Sequence, residues 1–584
     1  MSDKTKLPDY TGLSPFDRKF FDTKEEFTYI GRGSLGGKAQ GLAFIKKILS
    51  EKLEGSKHKN ITVNIPTLTV ITTDMFDSFL QVNNLYETAY SDSSDEDIAI
   101  EFQKGSLPRD LAGDLMALIS KVHTPLAIRS SSLLEDAMYE PFAGVYGTKM
   151  ISNNQLDTDT RFHKLTEAVK FVYASTFFRE AKDYIKATGS KIEDEKMAVI
   201  IQEVVGIRYG EIFYPDISGV GRSYNFYPMG RAKPEDGVVN LALGLGKTIV
   251  DGGVSWTYSP SHPKAQPPYG SVKSLIKMTQ NKFWAVNMGR LPFYDPIKET
   301  EYMLELELGD AEENGTLEVV ASTYDAASDS IKMGTVAKGP RIINFAPVLT
   351  LNVVPLNSLL KYLLKICQEA SGASVEIEFA LTIDKENSDK ARFGFLQVRP
   401  MVVSNEEVII NEDELHGANT LISSDHALGN GTLNIIKDAV FIKPGSFEAK
   451  HSPKIAEELE TVNNSLTKTK TPYLLIGFGR WGSSDPWLGI PVNWGQISGA
   501  KVIVESMLEN MNVELSQGSH FFHNITCFRV LYFSLPFTGN YKIDWNWLEQ
   551  KETVYETDYI KHVKLNSPLQ VKVDGRTGRG VIIK

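Results

Sequence analysis

The sequence predicts an α+β fold, and three observations predict it. Apolar residues recur at helical spacing in some stretches, as Leu42, Ile45 and Leu49 do in "AQGLAFIKKILSEKL". Short apolar runs such as "MAVIIQEVV" (197–205) and "YLLIGFG" break up those stretches and read as strands. The 584 residues are 42% hydrophobic and 23% charged, enough for about three to five structural units with ample core.

Taken in order, residues 1–28 read as an extended lead-in. The Gly-rich stretch from Gly31 opens a helix, and "ITVNIPTLTVITTDMFDSFLQ" is a β-rich run broken by Pro66 and followed by a helix capped by Thr73 or Asp74. "SDSSDEDIAIE" (91–101) is an acidic surface loop or helix start, and "TPLAIRSSS" (124–132) is a short strand ending in a polar turn. One long helix is expected around 161–188, with Leu165, Ala168, Val169 and Val172 on one face. "MAVIIQEVV" should be buried on both faces, with further strands at "RSYNFYP", "VVNLAL" and "GFLQVRPMVV". Composition changes near residue 405. Beyond it, "HSPKIAEELETVNNSLTKTKT" (451–471) reads as a helix and linker, followed by strand-like runs "YLLIGFG", "KVIVE", "FRVLYFSL", "LQVKV" and "GVIIK". Residues 405–584 are therefore expected to form a separate α+β C-terminal region.

Composition also restricts function. Sixty-two Lys and Arg against 73 Asp and Glu leave a formal charge of −11, which argues against nucleic acid or an anionic membrane as the main partner. No stretch approaches the roughly 20 apolar residues of a membrane helix, and the N-terminus is polar with no apolar signal core. Cys367 and Cys527 are far apart, form no metal or disulfide pattern and are expected in the core. A cytoplasmic location is expected.

"GRGSLGGKAQGL" (31–42) brings glycines together with one lysine. Gly31, Gly33 and Gly36 fit dinucleotide-loop spacing, but "FTYI" before them is a short strand and that reading gives Lys38 no task. The P-loop pattern fails because Arg32 and Ala39 stand where glycine and Ser or Thr are needed. A third reading has the turn deliver Lys38 to a triphosphate, and a fourth is a plain surface turn that caps a helix.

The wider sequence favours the third. "GGKAQGLAFI", "IPTLTVITTDMFDSFL", "PLAIRSSSLLED", "FAGVYGT", "AVKFVYASTFFREA", "MAVIIQEVV" and "LQVRPM" follow one another in an order that resembles the nucleotide-binding domain of phosphoenolpyruvate synthase and pyruvate, phosphate dikinase. The resemblance spans roughly residues 30–403 and implies an ATP-grasp fold whose two lobes enclose the nucleotide. Residues 29–196 would form the N-terminal lobe and 197–404 the C-terminal lobe. It implies that Lys38 and Arg129 contact the ATP phosphates and act as the catalytic cations, a guanidinium fork being suited to phosphate oxygens. An ion pair with Glu135 or Asp136 is the alternative for Arg129. "DISGVGRSYNFYP" (216–228) resembles a loop that folds over the phosphates through Ser218, Gly219 and Gly221, the alternative being an ordinary hairpin turn. Gln202, Glu203 and Val205 would lie near the base. In "SVEIEFALTIDKENSDKARFGFLQVRPM", Glu376, Glu378, Gln397 and Arg399 match the family's acid-x-acid and Gln-x-Arg positions. Glu376 and Glu378 alternate with apolar neighbours and so share a strand face. Glu378 and Gln397 would hold Mg²⁺, which prefers such oxygens together with substrate phosphates, while Glu376 and Arg399 would bind the nucleotide. A half-exposed hairpin with outward carboxylates is the alternative.

Two departures shape the functional expectation. In "ALGLGKTIVDGG" (242–253), Lys247 replaces the glutamate usual in the family. The family's Thr-Ser-His phosphohistidine stretch is absent, and the residues after 405 are too few for a swivelling domain plus a barrel of roughly 250 residues. This chain is thus not expected to make phosphoenolpyruvate alone. His520 in "SQGSHFF" is the nearest thing to a phosphoryl-accepting histidine, with an ordinary structural histidine as the alternative. Three tryptophans in "GFGRWGSSDPWLGIPVNWGQISGAKVIVE" (477–505), with Arg480 and Asp485, form a packing or ligand surface. The expected activity is phosphoryl or pyrophosphoryl transfer from Mg-ATP to a small molecule, a partner protein or His520. A nucleotide sensor without turnover and an ATP-grasp ligase are the alternatives.

Overall fold

The computed structural model describes residues 13–19, 27–53, 60–133, 135, 144–188, 190–226, 228, 230–265, 272–277, 279–384, 390–401, 403, 408–483, 487–508, 530–537, 541 and 543–584. The chain divides into two compact units, Met1–Lys182 with Ser190–Tyr224 and Glu235–Met401, and Asp183–Gly189 with Asn225–Pro234 and Val402–Lys584.

Two six-stranded sheets organise the first unit. The first sheet runs Ser14–Pro15, Phe27–Ile30, Leu68–Ile71, Met197–Glu203, Leu126–Ser132, Thr148–Ile151. Ser14 and Pro15 pair in parallel with Thr28 and Tyr29, so part of the expected lead-in belongs to this sheet. Met197–Glu203 lies between Leu68–Ile71 and Leu126–Ser132, and its apolar residues are buried on both faces. The expected lobe boundary between residues 196 and 197 therefore does not separate the sheets.

The second sheet runs Trp256–Tyr258, Val238–Ala242, Ile217–Arg222, Val375–Ile383, Ala391–Pro400, Ile61–Asn64. Ile61–Asn64, separated by Pro66 from Leu68–Ile71, joins it in parallel. One face is covered by the helices Gly36–Lys52 and Leu356–Ser371. The Tyr362 hydroxyl joins these helices by donating to the Lys52 carbonyl at 2.8 Å. Their buried leucines and isoleucines, Leu42, Ile45, Leu360 and Leu363 among them, share one core with Ile377 and Phe395 of the sheet.

Three expectations are corrected. The helix expected over 161–188 is two, Thr158–Ser175 and Arg179–Thr188. The break turns Phe177 inward, where it stacks on Phe76 at 5.9 Å between centroids. The strand expected at "RSYNFYP" ends where that segment begins, being Ile217–Arg222. The helix Thr73–Val82 has Thr72 as its N-cap, and Thr73 and Asp74 serve the glycine turn instead.

The second unit is built on a nine-stranded mixed sheet. Four neighbouring strands, Gly431–Ile442, Tyr473–Phe478, Ala500–Ser506 and Leu531–Leu535, are mutually parallel, and helix Ser452–Lys468 links the first two. Trp481 is buried and donates from Nε1 to the Val504 carbonyl at 3.1 Å, Trp494 is buried, and Trp487 is 71% exposed. Cys367, in the first unit, is buried, and burial pushes its thiol up to about 12. Asp136, Asp485, His520 and Cys527 lie outside the described residues. Among the described residues no helix is long and apolar enough to cross a membrane.

Candidate functional site

The glycine-rich turn is held by its own protein partners. Asp74 accepts from the backbone N–H groups of Arg32 at 3.0 Å and Gly33 at 2.8 Å, and Thr73 Oγ1 accepts from Ser34 N–H at 2.9 Å. Those amides are therefore not a nest open to an anion. Gly36 begins the helix at φ +74°, a conformation that favours glycine, and a Cβ there would collide with the Ser131 carbonyl. The turn thus locks the helix start onto the strand Leu126–Ser132, with Lys38 in the first turn. Lys38 Nζ pairs with Glu135 at 2.7 Å and donates to Ser130 Oγ at 3.1 Å. Glu135 is fully buried, and its second oxygen accepts from Ser132 N–H at 2.8 Å. Glu195 lies behind it, accepting from Leu133 N–H at 3.2 Å, and burial pushes its carboxyl up to about 7, with Glu135 adding to the rise.

The strand that carries Ser130 also carries Arg129. Register places Arg129 opposite Thr148 and Ile200, and its side chain reaches the second sheet. Nη1 donates to the Leu396 carbonyl at 3.0 Å and to Gln202 Oε1 at 3.3 Å, and Nη2 donates to Gln397 Oε1 at 2.7 Å. Glu378 is 3.5 Å from Nη2. The alternative ion pair with Glu135 is not formed, since Glu135 goes to Lys38.

On the second sheet, register sets the charged residues in two adjacent rows. Glu376 stands opposite Arg222 on one side and Arg399 on the other, while Glu378 stands opposite Val220 and Gln397. Residues directly opposite share a face, and so do residues two apart, so both rows face the same way. The other face is that of Gly221 and Ile377: a Cβ on Gly221 would meet Ile377 at 3.3 Å and Leu364, from the covering helix, at 3.6 Å. Glu376 is 1% exposed, and both oxygens are taken. Arg399 binds Oε1 through Nε at 2.6 Å and through Nη2, and Arg222 Nε donates to Oε2 at 2.5 Å. Glu376 therefore orients two arginines.

The residues expected in a glycine loop are in a strand. Ser218, Gly219 and Gly221 belong to Ile217–Arg222, and the buried Ser218 hydroxyl donates to the Gly244 carbonyl at 2.6 Å. Gly219 lacks a Cβ because the Phe379 ring occupies that space. Gln202 and Glu203 end the strand Met197–Glu203, and Val205, buried just beyond, packs on Gly394. Gln202 is 2% exposed, and its Nε2 has no partner among the described residues. Lys247 pairs with Asp251 at 2.6 Å in the short helix Lys247–Val250.

Lys38, Ser130 and Glu135 thus form one polar group, and Arg129, Gln202, Glu378 and Gln397 a second, built from adjacent positions of one strand whose side chains point to opposite faces. Sequence reasoning missed Arg222 and Asn240, whose Oδ1 accepts from Arg222 Nη1 at 3.3 Å. Alternation along "ISGVGR" would have placed Arg222 on the face of Val220 had the strand been located correctly.

A family model described as "Pyruvate phosphate dikinase, AMP/ATP-binding domain" matches residues 32–416. No curated protein matches the chain.

Proposed function

The chain belongs to the pyruvate phosphate dikinase AMP/ATP-binding domain family, and from that premise we propose an ATP-dependent phosphotransferase that passes a phosphoryl or pyrophosphoryl group from Mg-ATP to an acceptor. The two six-stranded sheets of the first unit would be the lobes that enclose ATP. Arg129 carries this reading, because one guanidinium spans both sheets and meets the carboxylate and amide oxygens of Glu378 and Gln397. A buried Gln202 Nε2 with no acceptor among the described residues fits a nucleotide oxygen or ring nitrogen.

Glu378 and Gln397 also fit a magnesium ion, being hard oxygen donors side by side on one sheet face. No cluster of three or more His, Cys, Asp or Glu suited to a metal occurs among the described residues, so phosphate oxygens and water would complete its shell. Bound there, magnesium neutralises charge on the phosphate oxygens. Lys38, with two of its three donors held by Glu135 and Ser130, directs the third at a phosphate oxygen. Arg129 supplies a planar fork to the phosphate chain. Both cations stabilise the charge that builds on the transferring group, which is where protein groups contribute most to phosphoryl transfer.

The test is incubation of the full chain with Mg²⁺ and labelled ATP, with and without cell extract as a source of acceptor, followed by separation of the nucleotides. AMP with label on protein or a small molecule supports dikinase chemistry, whereas ADP points to a kinase or ligase. Saturable binding with no product in either case replaces this reading with that of a nucleotide sensor.

A further inference from the structure

We propose that Arg222 is a further anion-binding residue of this site, gripping an oxygen of the nucleotide's phosphate chain through its Nη2 edge. The inference rests on the reading that ATP lies over the Glu378–Gln397 face of the second sheet. Arg222 ends the strand Ile217–Arg222, directly across from Glu376 and on the face that carries Glu378 and Gln397. The covering helices Gly36–Lys52 and Leu356–Ser371 pack on the opposite face.

The guanidinium is fixed on one side only. Nε donates to Glu376 Oε2 at 2.5 Å and Nη1 to Asn240 Oδ1 at 3.3 Å. Asn240 is itself oriented, donating from Nδ2 to Thr257 Oγ1 at 2.7 Å and to Ser255 Oγ at 3.3 Å. An arginine has five N–H donors in a rigid fork. Two are used here, and neither Nη2 proton has an acceptor among the described residues. The side chain is 12% exposed, so these donors are held in a recess rather than waving in water. Charge points the same way. On this face Arg129, Arg222 and Arg399 stand against Glu376 and Glu378, three positive charges to two negative ones. One unit of positive charge remains for a ligand, and a guanidinium edge suits a phosphate oxygen pair.

The test compares the full chain with Arg222→Lys, which keeps a positive charge opposite Glu376 but offers no second nitrogen. Titration calorimetry with ATP and with adenosine separates a phosphate contact from general damage. Arg222→Lys is expected to raise the Kd for ATP about tenfold or more and to leave that for adenosine within about twofold. Equal weakening for both ligands, or no weakening for ATP, overturns the assignment. If the variant fails to fold, the unaltered protein serves. Inorganic tripolyphosphate is expected to protect Arg222 from phenylglyoxal, read by peptide mass spectrometry, whereas adenosine is not. Equal modification with and without tripolyphosphate overturns it. An unaltered protein that binds no ATP defeats the functional proposal itself, while normal ATP binding with a silent Arg222→Lys defeats only the role of Arg222.

Discussion

Arg129 Nη2 lies 2.7 Å from Oε1 of Gln397, a residue 268 positions further along the chain. With the Nη1 bond to the Leu396 carbonyl, this contact ties the strand Leu126–Ser132 of one sheet to the strand Ala391–Pro400 of the other. Arg129 is thus both a structural clamp and, in the proposed function, a phosphate ligand.

Replacing Arg129 by lysine is expected to expose both roles. One ammonium cannot reach Gln202, the Leu396 carbonyl, Gln397 and Glu378 together as the fork does. Stability in urea is expected to fall by about 1–3 kcal/mol, and ATP affinity measured by calorimetry by about tenfold or more. Unchanged ATP affinity would remove Arg129 from the binding site.

Lys38 and Glu378 are expected to separate binding from turnover. Lys38→Ala should weaken ATP binding strongly. Glu378→Gln should abolish product formation while weakening binding less, because the site loses its one charged magnesium ligand while the change also removes a negative charge from beside the phosphates. Equal and negligible effects of the two changes on binding and on labelled-product formation would show the site to lie elsewhere.

Gly36 is expected to tolerate no side chain. At φ +74°, with the Ser131 carbonyl where a Cβ would stand, Gly36→Ala should lower stability by about 2 kcal/mol or more. It should also weaken ATP binding, since the helix that carries Lys38 starts there. A melting temperature and ATP affinity equal to those of the unaltered protein would contradict the account of the turn.

Glu195 predicts a pH dependence of stability. Burial raises its carboxyl from 4.5 to about 7. Between those values the native state keeps a proton that the unfolded chain has released, so this contribution is full below pH 4.5 and is lost as pH rises through 7. The loss amounts to about 3 kcal/mol. Glu195→Gln, neutral throughout, is expected to flatten the decline in urea stability from pH 5 to 8. A decline as steep as in the unaltered protein would refute the burial argument.

Much of the scaffold could be read from periodicity. The apolar runs at 197–201 and 474–478 lie in central strands because no polar side chain interrupts them, and the Glu376–Glu378 alternation places both carboxylates on one face, as the register bears out. What stayed hidden depends on contacts between distant segments. Asp74 looked like a helix cap, yet its carboxylate is spent on amides 41 and 42 positions earlier. The resemblance of "DISGVGRSYNFYP" to a phosphate-covering loop implies a loop at Ser218, Gly219 and Gly221. The Phe379 ring, supplied by a neighbouring strand, makes glycine the residue that fits a strand there. Arg222 was overlooked for the same reason, being the last residue of a strand that local composition does not reveal.

The interleaving of arginines and carboxylates on the second sheet bears on how the protein rests between ligands. Each guanidinium leans on an acidic or amide neighbour, so the face carries its own counter-ions and does not repel itself apart. An incoming triphosphate would exchange one set of anionic partners for another rather than neutralise a naked cluster. Affinity would then be moderate and strongly dependent on ionic strength.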